Sequence, residues 1–290
     1  MIVGHQKQWQ FLQKSAKTDR ISHAYLFSGQ EKLGKRTIAY ELIKLFFDGK
    51  IKQAHPDFFY IEPAEREIQI KQIRDLNQRL SLKPFSAPLK TAIIDRAHLM
   101  NAEAQNCLLK TLEEPRGRTC LILVSEYPEF LFPTIRSRVE TIKFYPVPLK
   151  EIEDYLKNQG VNQEKSRLIS QVSRGKPGAA IDFLNYPQRL KEREALLNEI
   201  IKLTKSDLAF RFQYAKKLSQ VNNLKEILDI WSFRFREILI SRLNNAGTGG
   251  DKLIIFKLKN ILERIQSTNF LVSTTNVNPR LALEILMLEL

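Results

Sequence analysis

A short apolar run, AYLFS at 24–28, leads into the glycine-bounded loop GQEKLGK at 29–35 and then into a helix expected from Lys35. Strand, glycine loop and helix in that order constrain the fold more than any other stretch, because they are the opening of a β-α-β unit. Apolar runs continue to alternate with amphipathic stretches up to about residue 145, the pattern of such units around a mainly parallel sheet. AYLFS, DFFYI, KTAIID, CLILVS and VETIKF are the strand candidates, each short and rich in aromatic or β-branched residues. The first half of the chain is therefore predicted to be α/β.

Within that frame Gly29, Gly34 and Lys35 fit the phosphate-loop spacing G-x-x-x-x-G-K. Backbone amides of such a loop and of the following helix N-terminus receive phosphate oxygens. The same glycines also fit a turn that merely starts a helix. A second half of a nucleotide site is present, however: the run 91–95 reads as a buried strand ending in Asp95.

Two arginines break the chemistry. Arg36 fills the slot of the magnesium-binding hydroxyl, and Arg96 follows Asp95 where an acid would position water. A guanidinium about 4 Å from a divalent cation meets a repulsion on the order of 8 kcal/mol at an effective dielectric near 20, reduced if the side chain swings away. Thr37 comes one residue late and faces another side of the helix. Loss of a general base removes a further factor of about 10² to 10⁴. Hydrolysis is expected to be negligible, while residual binding of ATP or ADP stays open.

At 290 residues with 43% hydrophobic content, the chain is long enough for two or three cores. Neither an apolar signal segment at MIVGHQKQWQ nor a run of about 18 apolar residues is present, so a cytoplasmic protein without membrane contact is expected. Cys107 and Cys120, outside any CxxC pair, read as reduced thiols and give no metal site. The net charge of +14 suits a polyanionic partner, nucleic acid first, although the basic residues are scattered and also fit a solvated surface.

After Pro148 the periodicity becomes helical, with breaks expected at 158–160, 174–178 and 244–250, the last a surface loop. The boundaries read as an α/β domain over 1–148, a small helical group over 149–205 and longer amphipathic helices over 206–290. A serine nucleophile finds no footing: there is no G-x-S-x-G elbow, and His5, His23, His55 and His98 lie in unrelated contexts. For His23 and His98 packing or capping is expected. Glu113 and Glu114 end a helix beside Pro115, point in different directions and read as solvated.

Ordered matches along almost the whole chain resemble the delta-prime subunits of the bacterial DNA polymerase III clamp loader, within the AAA+ superfamily. They are HAYLFSG at 23–29, LGKRT at 33–37, HPDFFYI at 55–61, IQIKQIRDL at 68–76 and, most specifically, IIDRAHLMNAEAQNCLLKTLEEP at 93–115. The last is similar to the Walker B segment and the helix after it. FPTIRSRV at 132–139 resembles the serine-arginine-cysteine motif, with Val139 in place of the cysteine, and NPRLALEILMLEL at 278–290 resembles the last collar helix.

The resemblance implies a RecA-like base (1–148) with a degenerate phosphate loop, a helical lid (149–205) and a collar (206–290) that joins five subunits in a hetero-pentameric ring. It implies a non-hydrolysing subunit that partners the tau/gamma ATPase and delta subunits, the sliding clamp and primer-template DNA, contacting the DNA through backbone phosphates. Arg138 would act in trans as an arginine finger on a neighbouring ATPase, while Gly29, Gly34, Lys35 and Asp95 would form a remnant nucleotide site. Three departures stand out. Residues 48–54 lack the cysteines of a zinc module, so no zinc is expected; Gly178 replaces the sensor-2 arginine; Arg116 replaces a second proline. An autonomous AAA+ ATPase acting on DNA, using Thr37 and another acid, is the alternative, and a stand-alone basic DNA-binding module is a weaker one.

Overall fold

A computed structural model describes residues 2–47, 49, 55–64, 66–115, 117–221, 223–244, 250–274 and 277–290. Most of the 48–54 stretch, Arg116 and residues 245–249 lie outside the described residues, so the expectations placed on them do too. The chain divides into two compact units, Met1–Tyr186 and Pro187–Leu290.

In the first unit all five expected strands form: β1 (Ala24–Ser28), β2 (Phe58–Ile61), β3 (Lys90–Ile94), β4 (Thr119–Ser125) and β5 (Glu140–Lys143). They make one sheet in the order β2-β3-β4-β1-β5, with each neighbouring pair parallel. Helices cover both faces, which is why β1 and β3 are buried along their whole length and read as continuous apolar runs. Alternate side chains serve the two faces. Leu26, Ala92, Ile94, Leu121 and Leu123 pack with α3 (Ile70–Leu80) and α4 (Ala102–Glu113). Tyr25, Phe27, Ile93, Ile122 and Val124 pack with α1 (Gln6–Lys17) and α2 (Lys35–Lys44).

Asp57, expected as the first residue of a strand, instead stands just before β2 as a fully buried carboxylate. It accepts the amides of Phe85 and Ser86 at 2.8 Å and of Ala87 at 3.0 Å, with Lys90 Nζ 3.9 Å away. Burial alone would raise its pKa, but the three amides and the lysine outweigh it and hold the carboxyl below its ordinary value. One side chain thereby fixes the loop between α3 and β3.

Beyond β5, the short helix α5 (Pro133–Arg136) having preceded it, the first unit ends in α6 (Leu149–Asn158), α7 (Gln163–Ser173) and α8 (Pro177–Asn185). The expected break at 174–178 is shorter than anticipated, because Pro177 takes the first turn of α8, where its missing N–H costs nothing. The second unit holds α9 (Pro187–Lys205), α10 (Leu208–Leu218), α11 (Leu224–Asn244), α12 (Gly250–Thr274) and α13 (Pro279–Glu289). Its core gathers Trp231, Leu228, Ile265, Leu283 and Leu286. Arg211 ties the end of α9 to α13 by donating to the carbonyls of Leu203, Thr204 and Met287 at 3.0–3.2 Å. The helix at 187–205, grouped by sequence with the lid, falls in this second unit. No described helix is long and apolar enough to cross a membrane.

Candidate nucleotide site

The carboxyl ends of β1, β3 and β4 converge where the strand order reverses, the place a parallel sheet offers a ligand. Gly29 leaves β1 with φ 142°, and a Cβ there would stand 2.3 Å from the carbonyl of Phe144, so only glycine fits. Gly34, at φ 91°, is the N-cap of α2.

Lys35 does not reach out for phosphate. Its side chain, 6% exposed, turns back onto its own loop and donates to the carbonyls of Gly29 at 2.5 Å and Gln30 at 2.6 Å. Burial pulls its pKa down to about 8, with Glu126 and Asp95 pulling the other way. Further carbonyls of the loop are also taken: Leu33 lies 2.9 Å from His5 Nε2, and Lys32 accepts the amide of Gly178 at 2.8 Å. The Lys32 ammonium reaches Asp182 of α8 at 2.8 Å. Gly178 therefore presses the start of α8 against the loop, where a Cβ would come within 2.9 Å of the Lys32 carbonyl.

At the end of β3, Asp95 faces a cation supplied by the chain itself. Arg36 Nη1 lies 3.7 Å from Asp95 Oδ2, and the Tyr60 hydroxyl donates to the same oxygen at 3.1 Å while lying 3.4 Å from Arg36 Nη1. Burial and the Asp95 carboxylate push the Tyr60 phenol well above its ordinary pKa, so it stays a donor. Arg96 is exposed in the left-handed region at φ 50°, its amide on Asp95 Oδ1. Burial is the main reason that His98 titrates below its ordinary value, leaving the neutral ring Nδ1 to accept the Glu126 amide at 3.4 Å, with Ser125 Oγ at 3.3 Å. Among the described residues no cluster of histidine, cysteine or carboxylate could hold a metal ion.

The structure thus brings Gly29, Gly34, Lys35 and Asp95 to one strand-end site, with Arg36 inside it. Arg138 lies elsewhere in the unit, after α5. Its Nη2 pairs with Glu113 Oε1 at 2.9 Å and its Nη1 donates to the Thr134 carbonyl at 3.0 Å. Glu113, expected to be merely solvated, is an ion-pair partner. The roles of Tyr60, His5 and Glu113 are invisible in the sequence, since each acts on a residue distant in the chain.

The five-stranded parallel order, the loop leaving β1 and the acidic end of β3 define a RecA-like core of the AAA+ class. Residues 4–148 match the family described as DNA polymerase III, delta subunit. The chain is 30% identical over 262 residues to DNA polymerase III subunit delta' of Bacillus subtilis, covering 84% of this chain and 78% of that protein. With the Pseudomonas aeruginosa DNA polymerase III subunit delta' it shares 37% over 135 residues, 40% of this chain and 41% of the other. The Thermotoga maritima RuvB Holliday junction branch migration motor has the same fold at a TM-score of 0.50 and 17% identity, over 68% of this chain and 64% of that one. The chain belongs to the delta-prime family of DNA polymerase III, among the clamp-loader AAA+ proteins.

Proposed function

We propose that the chain is a non-hydrolysing subunit of a clamp-loader ring, helping to load a sliding clamp on primer-template DNA and lending Arg138 to the ATP site of a neighbouring subunit. The observation that carries the first part is the Arg36–Asp95 pair, in which a guanidinium of the chain itself stands beside the aspartate that would hold a metal ion. Lys35, folded onto the carbonyls of Gly29 and Gln30, supports the same reading. Thr37, exposed on α2, leaves the alternative of an autonomous ATPase without support from the geometry. Nucleotide binding at Gly29, Gly34, Lys35 and Asp95 would first have to break the bonds that close the loop.

Residues 1–148 then correspond to the base, the helices over 149–186 to the lid and the second unit, Pro187–Leu290, to the collar, in a cytoplasmic assembly with tau/gamma and delta subunits. The second unit carries an apolar groove of ≈ 590 Å³ lined by Ile200, Phe235, Ile238, Leu253 and Phe256, which suits helix packing between subunits. The charge of +14 fits contacts with DNA phosphates that weaken with salt. A finger stabilises the transition state by roughly 4 to 7 kcal/mol, a factor of about 10³ to 10⁵ at the site it serves.

ATP turnover by the purified chain, alone and then with ATPase and delta subunits, clamp and primed DNA, tests this. The expected result is silence alone and turnover in the mixture that falls when Arg138 becomes alanine, with assembly intact. Robust turnover by the lone chain would overturn the non-hydrolysing reading, and an unaffected Arg138→Ala mixture the finger.

A further inference from the structure

Helix α4 grips the Arg138 segment at two points. Gln105, 4% exposed, donates through Nε2 to the Phe130 carbonyl at 3.1 Å and accepts the Phe132 amide at 2.8 Å through Oε1. These bonds hold the chain on its way into α5, and Ile135 and Leu131 pack into the same core as Leu108 and Leu112 of α4. Two turns beyond Gln105, Glu113 takes the Arg138 head group at 2.9 Å. The backbone of the segment and its guanidinium are thus referenced to a single helix.

We propose that Glu113 is a positioning residue for Arg138, holding the guanidinium in an aimed conformation before a neighbouring nucleotide arrives. The inference rests on the reading of Arg138 as a finger. Arginine has five donors, and the Glu113, Thr134 and Ser137 contacts use three of them. The remaining N–H groups stay available to a phosphate while the fork is held. A free arginine side chain explores many rotamers, and fixing it beforehand removes that entropy from the activated step. The tether is weak by design of its surroundings, since the pair stands partly in water.

The test is DNA-stimulated ATP turnover of the assembled loader carrying Glu113→Ala, Glu113→Gln, Arg138→Ala or the double Glu113→Ala/Arg138→Ala change. Expected for Glu113→Ala is a kcat lower by about two- to fivefold, a KM for ATP unchanged within about twofold and ring assembly unchanged by size-exclusion chromatography. The loss should not exceed that of Arg138→Ala. Glu113→Gln, which keeps an accepting oxygen, should recover part of the rate. In the Arg138→Ala background Glu113→Ala should do nothing more, because it acts through the arginine. A wild-type rate for Glu113→Ala, or an equal loss in both backgrounds, overturns the proposal while leaving the finger intact. An Arg138→Ala loader with the wild-type rate overturns the finger reading, and this inference with it.

Discussion

Arg36 and Asp95 face each other across 3.7 Å, and the Tyr60 hydroxyl joins both, so the acidic end of β3 is neutralised from within the chain. A carboxylate of the kind that holds a divalent cation is here paired with a guanidinium of the same chain. Tyr60 reaches it because β2 and β3 are parallel, with Tyr60 beside Ile93 and the Asp95 amide bonded to the Ile61 carbonyl.

Replacing Arg36 by threonine restores a hydroxyl at the metal slot but leaves Lys35 on its own loop and Arg96 in the acid's position. ATP turnover by the isolated variant should remain at background. The stability lost should stay below about 1 kcal/mol, since the Arg36 side chain is 61% exposed and an exposed pair contributes little. Turnover at the rate of a working ATPase from this single change would show that neither Lys35 nor Arg96 blocks the reaction.

Lys35 gives a pH signature. Its folded pKa, about 8, lies below the 10.5 of a free lysine. Between those values the unfolded chain binds more protons than the folded one, so the residue's contribution to stability grows more favourable as pH rises from about 8 to 10.5. Unfolding in urea, compared with a Lys35→Met variant, should show the difference moving toward the wild type over that window and flat below pH 7. A difference that moves toward the variant would mean that the ammonium is favoured in the folded site.

How far the sequence reached is instructive at particular residues. β1, β3 and β4 were legible because burial on both faces leaves runs such as AYLFS and TCLILVS with no polar interruption except at their ends, whereas β2 shows through its aromatic residues and the more exposed β5 only through its β-branched Thr141 and Ile142. The gathering of residues at the ends of β1 and β3 was legible through the loop spacing of Gly29, Gly34, Lys35 and Arg36 and through Asp95 at the end of an apolar run. What the side chains do there was not. The turn of Lys35 onto Gly29 and Gln30, and Tyr60 beside Asp95, depend on loop closure and strand register rather than on motif. Likewise Gln105 and Glu113 are ordinary polar positions of α4 in the sequence, and their bonds to Phe130, Phe132 and Arg138 come from the packing of the segment around α5.

Gly178 marks how closely the start of α8 sits on the loop. An arginine there, as in the sensor-2 position, needs a Cβ within 2.9 Å of the Lys32 carbonyl and 3.2 Å of its Cα, both backbone. Gly178→Arg should therefore destabilise the first unit by about 1–3 kcal/mol, the usual cost of overpacking. Urea denaturation followed by a probe in that unit reads it. An unchanged midpoint would mean that α8 lifts from the loop without cost.

Asp57 is the residue on which the α3–β3 loop depends, and its removal separates charge from shape. Asparagine keeps the size but replaces an oxygen that accepts two of the three amides, or one that accepts the third, with an amide that donates. It also leaves Lys90, 4% exposed, without its carboxylate. Charge-assisted bonds of this kind contribute about 1.5–3 kcal/mol each against an unmet donor, so Asp57→Asn should lose on the order of 3 kcal/mol at pH 7. Because the folded pKa lies below the ordinary 3.8, the carboxylate's contribution is complete above that value and fades as pH falls through the folded pKa. The wild type should lose its advantage over Asp57→Asn only in acid below about pH 4, followed by urea midpoints across pH 2–7. An advantage that is already absent at pH 7 would mean that Phe85, Ser86 and Ala87 hold their loop without the carboxylate.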